Sequence, residues 1–119
     1  MALHYNLAKV YAISDNDPDF VHQVVKEFVQ DTPKDLDHIK LAIEKKNHQK
    51  CFEHAHKIKP SLDLFSLNIA LEEIILIELW SKSLGKKKEV IELYRSVSER
   101  IEKAIKEIKK DFNLKNAKI

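Results

Sequence analysis

Glycine occurs once and proline three times in the 119 residues. A β-rich fold draws on both residues for its many turns, so their scarcity, beside abundant Lys, Glu, Leu and Ile, favours helices with short connections. The single cysteine, Cys51, excludes an internal disulfide. No positively charged start followed by a long apolar run marks a secretory signal, and the longest apolar run, Ile74 to Ile77, is far too short to cross a bilayer. The expected compartment is the cytoplasm, with no membrane partner. A formal charge of +2 is small, and acids interrupt the bases except near Gly85–Lys88 and in the C-terminal segment. Charge therefore predicts no nucleic-acid partner.

With 44% hydrophobic residues, the chain can bury one core, and it is expected to form one domain over residues 1–119. A short helix is expected from Asn6 as its cap through Leu7, Val10, Tyr11 and Ile13. Asp17 before Pro18 is a start signal for a second helix, with a side-chain acceptor at the cap and a proline whose missing N–H is harmless there. Its stripe of Phe20, Val21, Val24, Val25, Phe28 and Val29 continues past Pro33 through Leu36, Ile39 and Ile43, which predicts one long kinked helix. Asn47 then caps a third helix burying Cys51, Ala55, Ile58, Leu62 and Phe65. Asn68 caps a fourth, expected to be the most buried, which Gly85 ends as a C′ residue. A fifth runs from Lys86 along Val90, Leu93, Tyr94, Val97, Ile101, Ala104, Ile105 and Ile108, and a charged tail from residue 109 is expected to project beyond it. The fold class expected is all-α, an antiparallel up-down four-helix bundle with a short additional N-terminal helix.

The stretch Glu53–Phe65, EHAHKIKPSLDLF, carries the feature that needs explaining. At about 100° per residue, the buried stripe of the third helix points away from His56, which should face solvent. An unperturbed imidazole titrates near pH 6.5, so it is a usable nucleophile around neutrality. Lys59, one turn along, can reach a group bonded to the ring, and a cation there favours a phosphoryl group. Pro60 has no N–H for the carbonyl of His56, so the helix must bend or loosen beside it.

His56-Lys57-Ile58-Lys59-Pro60-Ser61 resembles the phosphoacceptor motif of histidine-containing phosphotransfer (HPt) domains, H-x-[LI]-K-G-[SA]. The resemblance extends over the first two helices and reaches about Lys82; the final helix matches only as an amphipathic segment. It implies that His56 is the phosphorylated residue, that Lys59 neutralises the phosphoryl group, and that Ser61 is the small residue of the motif. Glu78 falls where the family often has Glu or Gln near the imidazole, and so could hold Nδ1 and leave Nε2 to react. Glu53, one turn before His56, competes for that role. Two positions depart from the pattern: Pro60 replaces the motif glycine, and Ser66 stands where a glycine commonly ends the helix.

The function this implies is a phosphorelay carrier in two-component signalling, not a kinase. It would shuttle a phosphoryl group between aspartates of two receiver domains, one on a hybrid sensor kinase and one on a response regulator. The chain would need no cofactor of its own, because Mg²⁺ belongs to the receiver. Phe52 and Leu64, flanking the solvent side, are expected to form an apolar docking patch with Lys57, Pro60 and Ser61, unless the short first helix covers them. No receiver or kinase segment is attached, so a free-standing shuttle is expected, with a monomer as the default.

Rival readings are weaker. His48, His54 and His56 stand at spacings that scatter imidazoles around a helix, unlike an i, i+4 pair, so no metal site is expected, and His4, His22 and His38 offer no compelling partners. Cys51 and Trp80 lie in buried stripes. A small enzyme lacks support, for want of paired carboxylates, a Gly-rich phosphate loop or a nucleophile–base pair. The serious alternative is a non-catalytic helical module that docks or sequesters a receiver without phosphotransfer.

Overall fold

Asp17 and Asn47 accept hydrogen bonds from the backbone N–H groups of Asp19 and Lys50 and so start two of the helices, as their side chains suggest. In the computed structural model, which describes residues 3–114, five helices follow one another: α1 (Ala8–Ile13), α2 (Pro18–Glu44), α3 (His48–Leu64), α4 (Asn68–Lys82) and α5 (Lys87–Asp111). There is no strand among the described residues. Helices α2 to α5 pack as a closed ring in which each contacts its sequence neighbour and α5 returns to α2, while α1 leans on α2. That is the up-down bundle expected from short connections. At about 1.5 Å per residue, the unbroken α2 is about 40 Å long and runs nearly the length of the molecule, whose longest extent is 43 Å. Pro33 lies inside it.

The core is continuous from Val10 to Ile108, and every residue of the expected α3 stripe is buried. Phe28 of α2 stacks on Phe65 at the end of α3, with ring centroids 4.2 Å apart. Burial of each such ring contributes about 1.5–3 kcal/mol relative to exposure. Tyr94 of α5 donates its hydroxyl to the carbonyl of Leu36 at 2.9 Å, and burial pushes its phenol pKa up.

The helix ends depart from expectation in an instructive way. With one glycine available, all five helices finish on a non-glycine residue in the left-handed region: Asp15, Lys46, Ser66, Leu84 and Asn113. Each carries the same reverse hydrogen bond from the following N–H to a carbonyl five residues back, such as Leu67 N–H to Leu62 and Gly85 N–H to Trp80. Gly85 is therefore not the left-handed residue; Leu84 is. Glycine is needed at 85 for space, because a Cβ there would sit 2.3 Å from Trp80 Cδ1. Ser66 does adopt the positive φ that a glycine would hold without strain.

Further corrections are local. The first residue of α4 is Asn68 and its cap is Leu67, with no side-chain capping bond. Asn6 accepts from the N–H of Ala8, the first residue of α1, but stands one residue before the cap, which is Leu7. Phe20 is exposed, because it lies about 100° round α2 from buried Val21, off the face that meets the core. Helix α4 is apolar on more than its buried face, and Ile69, Ile75, Leu76 and Leu79 are all exposed. Phe112 and Leu114 pack on the core, so the chain beyond α5 turns inward at least to Leu114; the rest of the expected tail, 115–119, lies outside the described residues.

Candidate functional site

Helix α3 presents its wet side as a crest with two flanks. His56 stands on the crest with its side chain 63% exposed, beside exposed Pro60 and Asp63. One flank carries Phe52 and Lys59 and faces α4. The other carries Lys57, Ser61 and Leu64 and lines a cleft against α2 with Val24, Asp31 and Asp35. The residues expected to act together thus divide: Phe52, His56 and Lys59 gather on the α4 side, while Lys57, Ser61 and Leu64 lie across the crest.

On the α4 side, one carboxylate organises the cluster. Glu78 is buried, with its side chain 9% exposed, and its two oxygens reach different partners. His56 Nδ1 lies 2.9 Å from Oε2, and Lys59 Nζ donates to Oε1 at 2.9 Å. A buried carboxylate without partners would be strongly disfavoured, so Glu78 is tied to this arrangement as firmly as the arrangement is to it. In the neutral ring, a carboxylate beside Nδ1 favours the tautomer that carries its proton there and leaves Nε2 with its lone pair. Of the two carboxylates weighed from sequence, Glu53 is elsewhere. It accepts from Gln49 at 3.0 Å and pairs with Lys50 at 3.5 Å, contacts that hold its pKa below the usual carboxylate range.

Phe52 lies against the imidazole of His56, with centroids 5.5 Å apart and planes nearly parallel. The ammonium of Lys82 sits 5.0 Å above the Phe52 ring. Ile75, Leu79 and Lys82, four and three residues apart, share a face of α4 that adjoins Glu78, which stands three residues after Ile75 and four before Lys82. Exposed Ile75 and Leu79 therefore extend the apolar surface around His56. Sequence reading missed both, since a uniformly apolar run does not reveal which members remain in solvent.

The N-terminal segment braces the far end of α3. The backbone N–H of Asn6 donates to the carbonyl of Phe65 at 3.0 Å, and Lys9 pairs with Asp63 at 3.0 Å. Leu7 is half-buried, while Tyr11 and Ile13 remain exposed. Cys51, near the start of α3, is wholly buried, and burial pushes its thiol pKa up, which suits an inert core residue. His48 has a structural role, with Nε2 2.8 Å from the carbonyl of Gly85 and its ring against Trp80. His4 and His38, for which sequence offered no partners, have them: His4 lies 3.4 Å from Glu107, and His38 stacks on His54.

The helical bundle thus presents an exposed imidazole held through one nitrogen by a buried carboxylate, with a lysine on the same carboxylate. A family model for the Hpt domain matches residues 23–111, and the chain belongs to that family. No curated protein and no solved structure gives a match. Membership assigns the class of function, histidine phosphotransfer in phosphorelay signalling, in which Hpt domains are carriers, not kinases, and interact with receiver domains. No helix among the described residues is long and apolar enough to cross a membrane.

Proposed function

We propose that this chain is a phosphorelay carrier, a single domain that takes a phosphoryl group from the aspartyl phosphate of one receiver domain onto His56 Nε2 and delivers it to the aspartate of another. The observation that carries the reading is the Glu78 bridge, which holds the proton at Nδ1 and turns Nε2 outward. In the forward step the Nε2 lone pair forms the N–P bond, the acyl P–O bond breaks, and its electron pair leaves with the aspartate carboxylate. The ring, still protonated at Nδ1, becomes cationic, and the Glu78 carboxylate at 2.9 Å compensates that charge as it develops. Return of the phosphoryl group to a second aspartate reverses the same bonds.

Lys59 is the residue that meets the phosphoryl oxygens. Its side chain is partly exposed and, among the described residues, held only by Glu78, so a modest rotation brings Nζ toward a group on Nε2. The Mg²⁺ and the acidic pocket are supplied by the receiver, and this chain contributes the nucleophile and one cation. Phe52, Ile75 and Leu79 provide apolar contact for docking, while Lys57, Lys59 and Lys82 complement an acidic partner. Pro60 adds no long side chain beside His56, so the approach stays open.

The test is label transfer from a phosphorylated receiver domain to the purified protein. Wild type accepts the label in an acid-labile, base-stable bond, and His56→Gln, which keeps its helicity, accepts none. Equal labelling of both proteins rejects the assignment. A receiver that binds without transferring label to wild type supports instead the docking module.

A further inference from the structure

On the opposite flank of α3, two turns of α2 and one of α3 bring a carboxylate and two imidazoles together. Among the described residues, Asp35, His38 and His54 each offer a ligand atom, and these lie within 4.8 Å of one another. We propose that these three residues form a binding site for a borderline transition-metal dication of the Zn²⁺ class, clamping α2 to α3.

Asp35 is buried, and its Oδ1 lies 3.0 Å from His54 Nδ1 and 3.4 Å from Lys57 Nζ. Those pairings account for the buried carboxylate. They leave His38 unexplained. It stands one turn after Asp35 on the same face of α2, exposed, with its ring laid on that of His54 at a centroid distance of 4.5 Å and an interplanar angle of 23°. A metal would use all three. With metal–ligand distances near 2.0–2.2 Å, tetrahedral ligand atoms stand about 3.3 Å apart. The Asp35–His54 pair is already close to that separation, and rotation of the exposed His38 side chain completes the set. Water takes the fourth position, as in other open three-ligand sites.

The surroundings select the ion. Lys57 competes for Asp35, and Lys45 and Lys50 line the depression beside His38 and His54. These cations oppose any dication, and they exclude Mg²⁺ and Ca²⁺, whose binding depends on charge and oxygen ligands. An ion that gains from imidazole nitrogen, such as Zn²⁺, Ni²⁺ or Cu²⁺, overcomes them. Lys57 is largely exposed and can swing aside. His54 and His56 are two residues apart and point to different flanks, so the site is separate from the phosphoacceptor, although it fixes the same stretch of α3.

The experiment is a titration of tag-free, chelator-stripped full chain with Zn²⁺ at neutral pH, in competition with a chromophoric chelator, and with Co²⁺ for its visible spectrum. Wild type is expected to bind one ion per chain, with a Co²⁺ spectrum of tetrahedral character. His38→Ala, on an exposed residue whose loss leaves the core intact, and His54→Ala should each weaken binding roughly tenfold or more. His22→Ala and His56→Gln should bind as wild type does. Excess Zn²⁺ should raise the Tm of wild type and not of His38→Ala. Unchanged affinity in His38→Ala, or loss of binding in His56→Gln, overturns the proposal, as does failure of wild type to compete for Zn²⁺. The outcome is independent of phosphotransfer, which this assay does not read.

Discussion

Replacing Glu78 by glutamine tests whether the buried carboxylate prepares His56 for attack. The side chain keeps its volume, but one of its two oxygens becomes an NH₂ group. Either His56 Nδ1–H or Lys59 then loses its acceptor, where both now sit at 2.9 Å. A hydrogen bond to a charged group contributes about 1.5–3 kcal/mol, against about 0.5–1.5 for a neutral one. Water reaches the 63% exposed imidazole and replaces part of the loss, so the lower half of the difference applies. A loss of about 1 kcal/mol from the cationic transition state slows transfer about fivefold. The assay is single-turnover transfer from a phosphorylated receiver, with circular dichroism to verify helicity and imidazole ¹⁵N shifts to read the tautomer. Wild type should carry its proton at Nδ1, and Glu78→Gln should show a mixture. A wild-type rate together with a wild-type tautomer in the variant would refute the reasoning.

Other perturbations follow from the same contacts. Lys59→Ala should slow transfer and shorten the lifetime of the phosphohistidine, measured by decay of bound label; an unchanged lifetime would make Lys59 an ordinary surface lysine. Gly85→Ala drives a Cβ to within 2.3 Å of Trp80 Cδ1 and disturbs the indole N–H bond to the Lys86 carbonyl. Overpacking of this kind costs about 1–3 kcal/mol, so the Tm should fall by several degrees or more; an unaltered Tm would show that the ring has room to move. Glu107 accepts from the N–H groups of Leu3 and His4 at 2.8 Å each, and those bonds hold its pKa below the ordinary value. Since the folded pKa is depressed, the stabilisation is present above the usual carboxylate pKa and is lost as pH falls through the folded one. The protection of the Leu3 and His4 amides, measured against intrinsic exchange at each pH, should therefore fall on acidification, and in Glu107→Gln it should be low already at neutral pH; protection equal to wild type would rule the strap out.

The bundle was legible because helical periodicity needs no knowledge of partners. Asp17-Pro18 and Asn47 announce their helices locally, and the stripe from Cys51 to Phe65 names its buried face from spacing alone. The ends were harder. Scarcity of glycine directed attention to Gly85 as a terminator, yet left-handed residues at Lys46, Ser66 and Leu84 are held by backbone bonds that any residue can make. Contacts between helices were the least legible. Glu53 competed with Glu78 for the imidazole, because the distance from His56 to Glu78 depends on how α4 docks. His38 and His54 meet only because α2 and α3 align, and spacing within one helix could not reveal it. The apolar run of α4 marks it as the helix expected to be most buried, whereas Ile75 and Leu79 stay outside, on the face beside His56.

The most direct test of the central claim is the position of the phosphoryl group after transfer from a receiver, read by ³¹P and ¹⁵N NMR on selectively labelled histidine. The account predicts a single phosphohistidine at His56, bonded through Nε2, with the proton retained at Nδ1 beside Glu78. Phosphorylation at Nδ1 of His56, or on another histidine such as His54 or His38, would contradict it.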